Sequence, residues 1–433
     1  MSRSVASTTT RDRLLREEIR TATLSCGLQA HVVPKSGVSR KVAVFSTRYG
    51  SIDLVFSPEP GRPPAPTPPG IAHFLEHQLF KKQDLDVLME FGRFGASSNA
   101  FTDYNSTTYY FSGTDRFDEC LDLLVRLVFA PHFTDDGVAK EKLIIEQELK
   151  MYDDQPDYRI YKNLMAALYR EHPVRIDIGG SVETIQKIDT PLLASCYRRF
   201  YHPSNMGFVA CGDLDSDDVF RRLEAALPAS RFPSADGPIA RKYPSEPVPP
   251  ARELVRESAV VSRPRVIVGY KDLAIGGPIL DRELATSVLL DNLFGPTSEF
   301  HGKWYRKGLI DDTFSASHTA EPEFGYTLIG GETDEPEKLA AEIRREIVRA
   351  SRGRLRRRDV DRARRKRLGR YLRSFDSPDG IAFMVLGFAM KGLDVFAFPK
   401  ALSRLTPPAL ERRLKEHLRE DRAAVSILDP KRN

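Results

Sequence analysis

GIAHFLEHQLF, residues 70–80, places two of the chain's nine histidines four positions apart, with a glutamate beside the second. Positions i and i+4 of a helix lie one turn apart on one face. A helix here therefore points His73 and His77 the same way, with Glu76 between them in sequence and close in space. Two imidazoles so placed can both reach one metal ion at about 2.0–2.1 Å. A carboxylate at i+3 from the first can take a proton from a water held there. The order His-x-x-Glu-His is the reverse of the common HExxH zinc motif.

Plainer readings of the same residues exist. The pattern can arise by chance on a solvated helix, or His73 can be a satisfied core residue. A di-iron carboxylate site also uses Glu-x-x-His pairs, but it needs two of them and the chain offers one. A catalytic zinc takes three protein ligands and keeps one position open, so a third donor must come from elsewhere. The amphipathic stretch 135–154 offers Glu141, Glu146 and Glu148. Glu141 and Glu148 are two helical turns apart and share a face, while Glu146 points away. One carboxylate completing the site and another orienting a histidine would be an ordinary arrangement.

Outward from this helix the chain reads as an α+β protein. Residues 21–57 alternate polar and apolar as a strand pair, and a Pro-rich loop, 57–70, delivers the chain into the histidine helix. The Thr, Tyr and Phe content of 96–113 predicts strands. Helices are expected over 116–131, 135–154 and 184–201, and a buried strand over 205–214. After the Pro-rich stretch 231–250 the same order of elements begins again, with strands at 265–273, 325–333 and 423–430 and helices at 281–295 and 337–351. The expectation is an internal duplication: a tail, 1–20; a first α+β domain, 21–230; a linker, 231–250; and a second α+β domain, 251–433, without a histidine pair.

The totals limit the other possibilities. With 41% hydrophobic and 29% charged residues, the composition is that of an ordinary globular chain. No apolar run approaches the ~20 residues of a membrane helix, and the opening residues hold no signal-peptide core, so no membrane is expected and the cytoplasm is the expected compartment. The four cysteines form no CxxC pair and read as buried free thiols. Between Arg344 and Arg373 there are fifteen Arg and Lys against three acids. No nucleic-acid motif or interleaved aromatic accompanies them, so they read as solvated helix faces, and no nucleic-acid partner is expected.

Several motifs in order resemble the insulinase/pitrilysin family of inverzincin metallopeptidases, and among them the processing-peptidase-like members built as one half of a clamshell. These are GIAHFLEHQLF, GASSNAFTDYNSTTYYF, EKLIIEQELKMYDDQPD, EHPVRIDIGGSVETI and FYHPSNMGFVACGDL in the first half. A softer match runs through GLIDDTFSASHTAEPEFGYTLIGG and YLRSFDSPDGIA in the second. The resemblance implies two homologous domains, each a mainly antiparallel sheet packed with helices. It implies one zinc per chain held by His73, His77 and Glu148, with Glu76 as general base and Glu141 supporting a ligand. It further implies that a peptide substrate pairs with the strand containing Asn99, Ala100 and Phe101.

One feature departs from the family pattern. Active members bring an Arg and a Tyr, seven apart, from the second half to hold the scissile carbonyl. Trp304 and Asp311 stand at those places here, and Tyr305 and Arg306 are nearby at the wrong spacing. The resemblance then implies that a zinc-less paralogous subunit, or the second copy in a homodimer, supplies the pair. A non-catalytic scaffold or peptide-binding subunit is the alternative expectation.

Overall fold

The computed structural model describes residues 5–13, 15–59, 61–232, 237–273 and 277–431. Two sheets organise them. The first contains Ser7–Asp12 (β1), Glu17–Thr23 (β2), Gln29–Pro34 (β3), Lys41–Thr47 (β4), Ser97–Thr102 (β7), Thr107–Gly113 (β8) and Met206–Gly212 (β9). A two-residue ladder, Val55–Phe56 (β5) with Ala65–Pro66 (β6), stands apart from it. The second sheet contains Leu254–Ala259 (β10), Arg265–Lys271 (β11), Ser315–Ala320 (β12), Gly325–Glu332 (β13) and Ala423–Pro430 (β14).

The helices, in chain order, are Ile71–Leu79 (α1), Val87–Arg93 (α2), Phe117–Phe129 (α3), Asp135–Asp153 (α4), Pro156–Leu168 (α5), Val182–Ile185 (α6), Thr190–Phe200 (α7) and Ser216–Ala226 (α8). They continue with Ile279–Leu293 (α9), Glu299–Arg306 (α10), Pro336–Arg352 (α11), Arg357–Arg373 (α12), Pro378–Met390 (α13), Phe398–Ser403 (α14) and Pro407–His417 (α15).

The strand orders are β1-β2-β3-β9-β4-β8-β7 and β10-β14-β11-β13-β12. The last five positions of the first sheet correspond one to one with the second. In each, one pair is parallel, β3 with β9 and β10 with β14, and the rest of the five-strand set is antiparallel. The duplication inferred from element order is thus a duplication of topology and of strand direction.

The structure changes the expected elements at two places. Residues 7–12 are not part of a loose tail: the Thr-rich segment pairs antiparallel with β2 and closes one edge of the first sheet. The stretch 184–201 is two helices rather than one, because Asp189 caps a new helix, accepting from Leu192 N at 2.9 Å, and Pro191 lies in that helix's first turn. The Arg-rich stretch 344–373 falls on two helices, α11 and α12, as its reading as helix faces expected, and acids of α12 pair within it, Arg362 with Asp359 at 2.6 Å and Arg364 with Asp361 at 3.0 Å. All four cysteines are buried and free, as their spacing suggested.

Packing redistributes two segments relative to a contiguous division of the chain. One compact unit comprises Met1–Gln147, Asp177–Lys242 and Leu372–Val395; the other comprises Glu148–Ile176, Tyr243–Tyr371 and Phe396–Asn433. Helix α13, from the second half of the sequence, lies on β4 and β9 of the first sheet. Helix α5, from the first half, lies on β10, β11 and β14 of the second, burying Ile160 with Ala259 and Leu428. Both contacts run over a residue without a side chain. A Cβ at Gly207 would meet Met390 Sδ at 3.1 Å, and one at Gly269 would meet Leu164 Cδ1 at 3.0 Å. Among the described residues no single helix is long and apolar enough to cross a membrane.

Candidate metal centre

The histidine helix begins at a residue that only glycine suits. Gly70, the N-cap of α1, has φ 91°, and a Cβ there would sit 2.3 Å from the carbonyl oxygen of Gly179. This close approach sets where α1 starts, and therefore which face its histidines present. Ile71, Phe74, Leu75 and Leu79 are buried and anchor the helix. His73 and His77 stand on the remaining face with ring centroids 4.6 Å apart.

The side-chain donors of His73, His77 and Glu148 lie within 4.8 Å of one another. Of the three carboxylates that α4 offered, Glu148 joins the histidines and Glu146 does not. Glu141 contacts one of the histidines instead. Its Oε1 lies 2.9 Å from His77 Nδ1, a contact that orients the ring and leaves Nε2 as the atom that could ligate a metal. Its other oxygen lies 3.1 Å from Lys81 Nζ. Burial opposes ionisation of Glu141, but the hydrogen bonds with His77 and Lys81 outweigh it, and the carboxyl titrates below its ordinary value. Two imidazoles and a carboxylate, one imidazole already oriented by an anion, form a donor set that suits zinc.

Glu76 is 7% exposed and accepts a hydrogen bond at Oε2 from Thr102 Oγ1, 2.6 Å away. Thr102 is the last residue of β7, the edge strand of the first sheet. One hydroxyl thus ties the candidate base to the strand expected to receive a substrate. On that strand Asn99, Ala100 and Phe101 pair with Tyr110, Tyr109 and Thr108 of β8, so only one side of β7 is paired within the sheet. The Ala100 N–H is held by the side-chain oxygen of Asn99 at 2.8 Å, and Phe101 is exposed.

The two second-half positions that depart from the family pattern have structural roles. Trp304 is buried in the second unit's apolar core, with Phe300 and Phe314. Asp311 is ion-paired with Arg263 at 2.7 Å and accepts from Thr313. Tyr305 is exposed, with its ring stacked on His301.

Thr102 and Lys81 were not anticipated. Lys81 carries a signal that sequence alone holds, since it lies four residues after His77. Thr102 carries none until the strand is placed beside α1.

Residues 65–181 match the model of the insulinase (peptidase M16) family, and residues 187–367 match that of the peptidase M16 inactive domain. The chain is 38% identical over 421 residues to the uncharacterized zinc protease YmfH of Bacillus subtilis (strain 168), covering 96% of this chain and 98% of that one. It superposes with TM-score 0.91 and 36% identity on the crystal structure of an M16-like peptidase from Alicyclobacillus acidocaldarius, over the whole of both chains. At 16% identity it shares the fold of the periplasmic protease PqqL from Escherichia coli, with TM-score 0.72, and there it spans 48% of the longer chain.

Proposed function

The chain belongs to the M16 (insulinase) peptidase family, and from that premise we propose that it is a zinc-dependent endopeptidase acting on short or unfolded peptides, or on one precursor peptide. The observation that carries this reading is the convergence of His73, His77 and Glu148 beside a buried Glu76. A scaffold needs the three ligands but has no use for a further carboxylate next to them in the helix.

His73, His77 and Glu148 would hold one zinc per chain, and Glu141 would keep His77 in the ligating tautomer. Bound there, the ion supplies a water of lowered pKa and polarises the peptide carbonyl. Glu76 accepts the proton of the attacking water on its carboxylate and returns it to the leaving amine. Thr102 keeps that carboxylate aimed by donating to one of its oxygens. A peptide would add to the open edge of β7, displacing the Asn99 side chain from the Ala100 N–H and running past Phe101.

The engagement of Trp304 and Asp311 elsewhere supports an active site completed by another subunit. A zinc-less paralogue supplying an Arg/Tyr pair is the preferred partner, and a second copy of this chain is the other candidate. Losing such an oxyanion donor costs about a hundredfold or more in rate.

The test is Glu76→Gln, in the chain alone and mixed with the paralogue. Retained zinc with peptide hydrolysis abolished is the expected result. Cleavage that survives the substitution would remove Glu76 as the base. If neither the wild-type chain nor the mixture hydrolyses peptides, the scaffold reading replaces the enzymatic one.

A further inference from the structure

A second group of metal-competent side chains lies in the second unit, outside the M16 motif. Asp272 follows β11, His318 is on β12 and His417 ends α15. Their donor atoms fall within 4.8 Å of one another, and all three side chains are fully buried. Asp272 Oδ1 is 3.6 Å from His417 Nδ1, and Oδ2 is 3.8 Å from His318 Nε2. Donors bound at 2.0–2.1 Å around a tetrahedral ion stand about 3.4 Å apart, and these two spacings, each to one oxygen of Asp272, are a few tenths of an ångström wider.

The remaining ring nitrogens limit the protons that can fill the gap. His318 Nδ1 and His417 Nε2 both meet Thr327 Oγ1, at 3.0 and 2.7 Å. A hydroxyl has one proton, so it donates to one ring and accepts N–H from the other. The ring that spends its proton on Thr327 turns a bare lone pair toward Asp272, while the ring that accepts the hydroxyl proton keeps its own N–H on the inner nitrogen. Neither inner nitrogen has a hydrogen-bond partner. Burial holds both imidazoles neutral, with His318 pushed down to about 3 and His417 further. A buried lone pair facing a carboxylate calls for a cation.

The cations present are guanidinium groups. Arg413 spans both oxygens of Asp272, with Nη1 at 3.2 Å from Oδ1 and Nη2 bonded to Oδ2, while its Nε donates to Thr286 Oγ1 at 2.7 Å. Arg282 Nε lies 3.6 Å from Oδ2. Arg413 is 7% exposed and Arg282 5%, so water cannot screen either charge.

We propose that Asp272, His318 and His417 form a second three-donor site for a divalent transition metal, kept closed by the guanidinium of Arg413. The chain then takes one metal ion, at His73, His77 and Glu148, and its second unit holds the same kinds of donors without metal. This assignment does not depend on the peptidase reading.

The test removes the first site with His73→Ala and His77→Ala and equilibrates the full chain with Zn2+ or Co2+. With Arg413 intact, no metal should remain after gel filtration. Adding Arg413→Met should bring retention to about one ion per chain, with visible Co2+ d–d bands. Further addition of His318→Ala should abolish it. Metal raising the melting temperature of the Arg413→Met chain, but not of the His318→Ala chain, is the second readout. If Arg413→Met folds only with metal present, the proposal stands. It fails if the folded Arg413→Met chain binds none, or if binding persists without His318. It also fails if the Arg413-intact chain already binds an ion through His318. Finally, it fails if neither Arg413→Met nor Arg413→Gln folds with metal or without.

Discussion

The two clusters contain the same donors, two histidines and one carboxylate, and their surroundings give them opposite characters. His73, His77 and Glu148 are all partly exposed, and behind His77 stands an anion, Glu141. Asp272, His318 and His417 are sealed, and around the carboxylate stand two arginines. A divalent ion entering the first cluster meets negative charge and an oriented ligand. An ion entering the second meets two cations in a medium that screens them poorly. Donor identity and spacing therefore do not make a metal site; the sign and exposure of the neighbouring charge decide it.

The largest contrast should appear on removing the carboxylate from each. Asp272→Ala leaves the buried Arg413 guanidinium without the carboxylate it spans, and breaking such a pair costs about 3–5 kcal/mol. Denaturant melts should place the loss in the second unit. Glu148→Gln should leave the metal-free melt within about 0.5 kcal/mol of wild type, as expected for a near-isosteric change at a partly exposed side chain, and lower metal affinity instead. Equal destabilisation by the two would show that the first cluster is also a structural keystone.

What could be read from the sequence follows the same line. The first cluster is legible because a helix turns short spacing into proximity: His73, Glu76 and His77 are neighbours in any α-helix, and Glu141 and Glu148 share a face of the next long one. The topology was legible from the repeated order of strands and helices. Asp272, His318 and His417 are far apart in sequence and meet only after β11, β12 and α15 assemble, so no local period marks them. The exchange of α5 and α13 between the halves was hidden for a related reason. An apolar helix face announces that it will be buried, not against which sheet. Trp304 and Asp311 were visible as departures, but their core and ion-pair roles needed the fold.

Acid should separate the two units next. His318 titrates at about 3 and His172 at about 4 in the folded chain, and His417 also lies well below the ordinary 6.5, in each case chiefly because of burial. All three belong to the second unit; His31, at about 4, belongs to the first. A depressed histidine is neutral in the fold and protonated in the unfolded chain below pH 6.5. The stability it contributes is fully present above 6.5 and is lost as pH falls toward its folded value. The slope is about 1.4 kcal/mol per pH unit for each such group. Hydrogen exchange from pH 6.5 to 4 should therefore show β11 and β13 losing protection faster than β4 and β9. Parallel loss in both sheets would mean that the second cluster opens without charging its histidines.

A smaller effect is expected behind the first cluster. Glu141→Gln keeps an oxygen within reach of His77 Nδ1 but removes the charge. Losing such an orienting carboxylate costs about 10- to 100-fold in metal affinity. Competition with a chromophoric chelator measures this directly, and an unchanged affinity would mean that helix packing alone orients His77.

The smallest expected effect bears most directly on why one cluster is open and the other closed. Each carboxylate has a cationic neighbour: Lys81 at 3.1 Å from Glu141, and Arg413 on Asp272. Lys81 is 48% exposed and Arg413 is 7%. Water and salt can replace the ammonium, so the pair is worth about 0.2–1 kcal/mol, and Lys81→Met should change metal affinity by about fivefold at most. The guanidinium has no such substitute, and its removal should cost several-fold more in free energy unless a metal ion takes its place. If Lys81→Met instead matches Glu141→Gln in the chelator competition, the ammonium is part of the machinery that holds His77. Exposure would then no longer explain the difference between the two clusters.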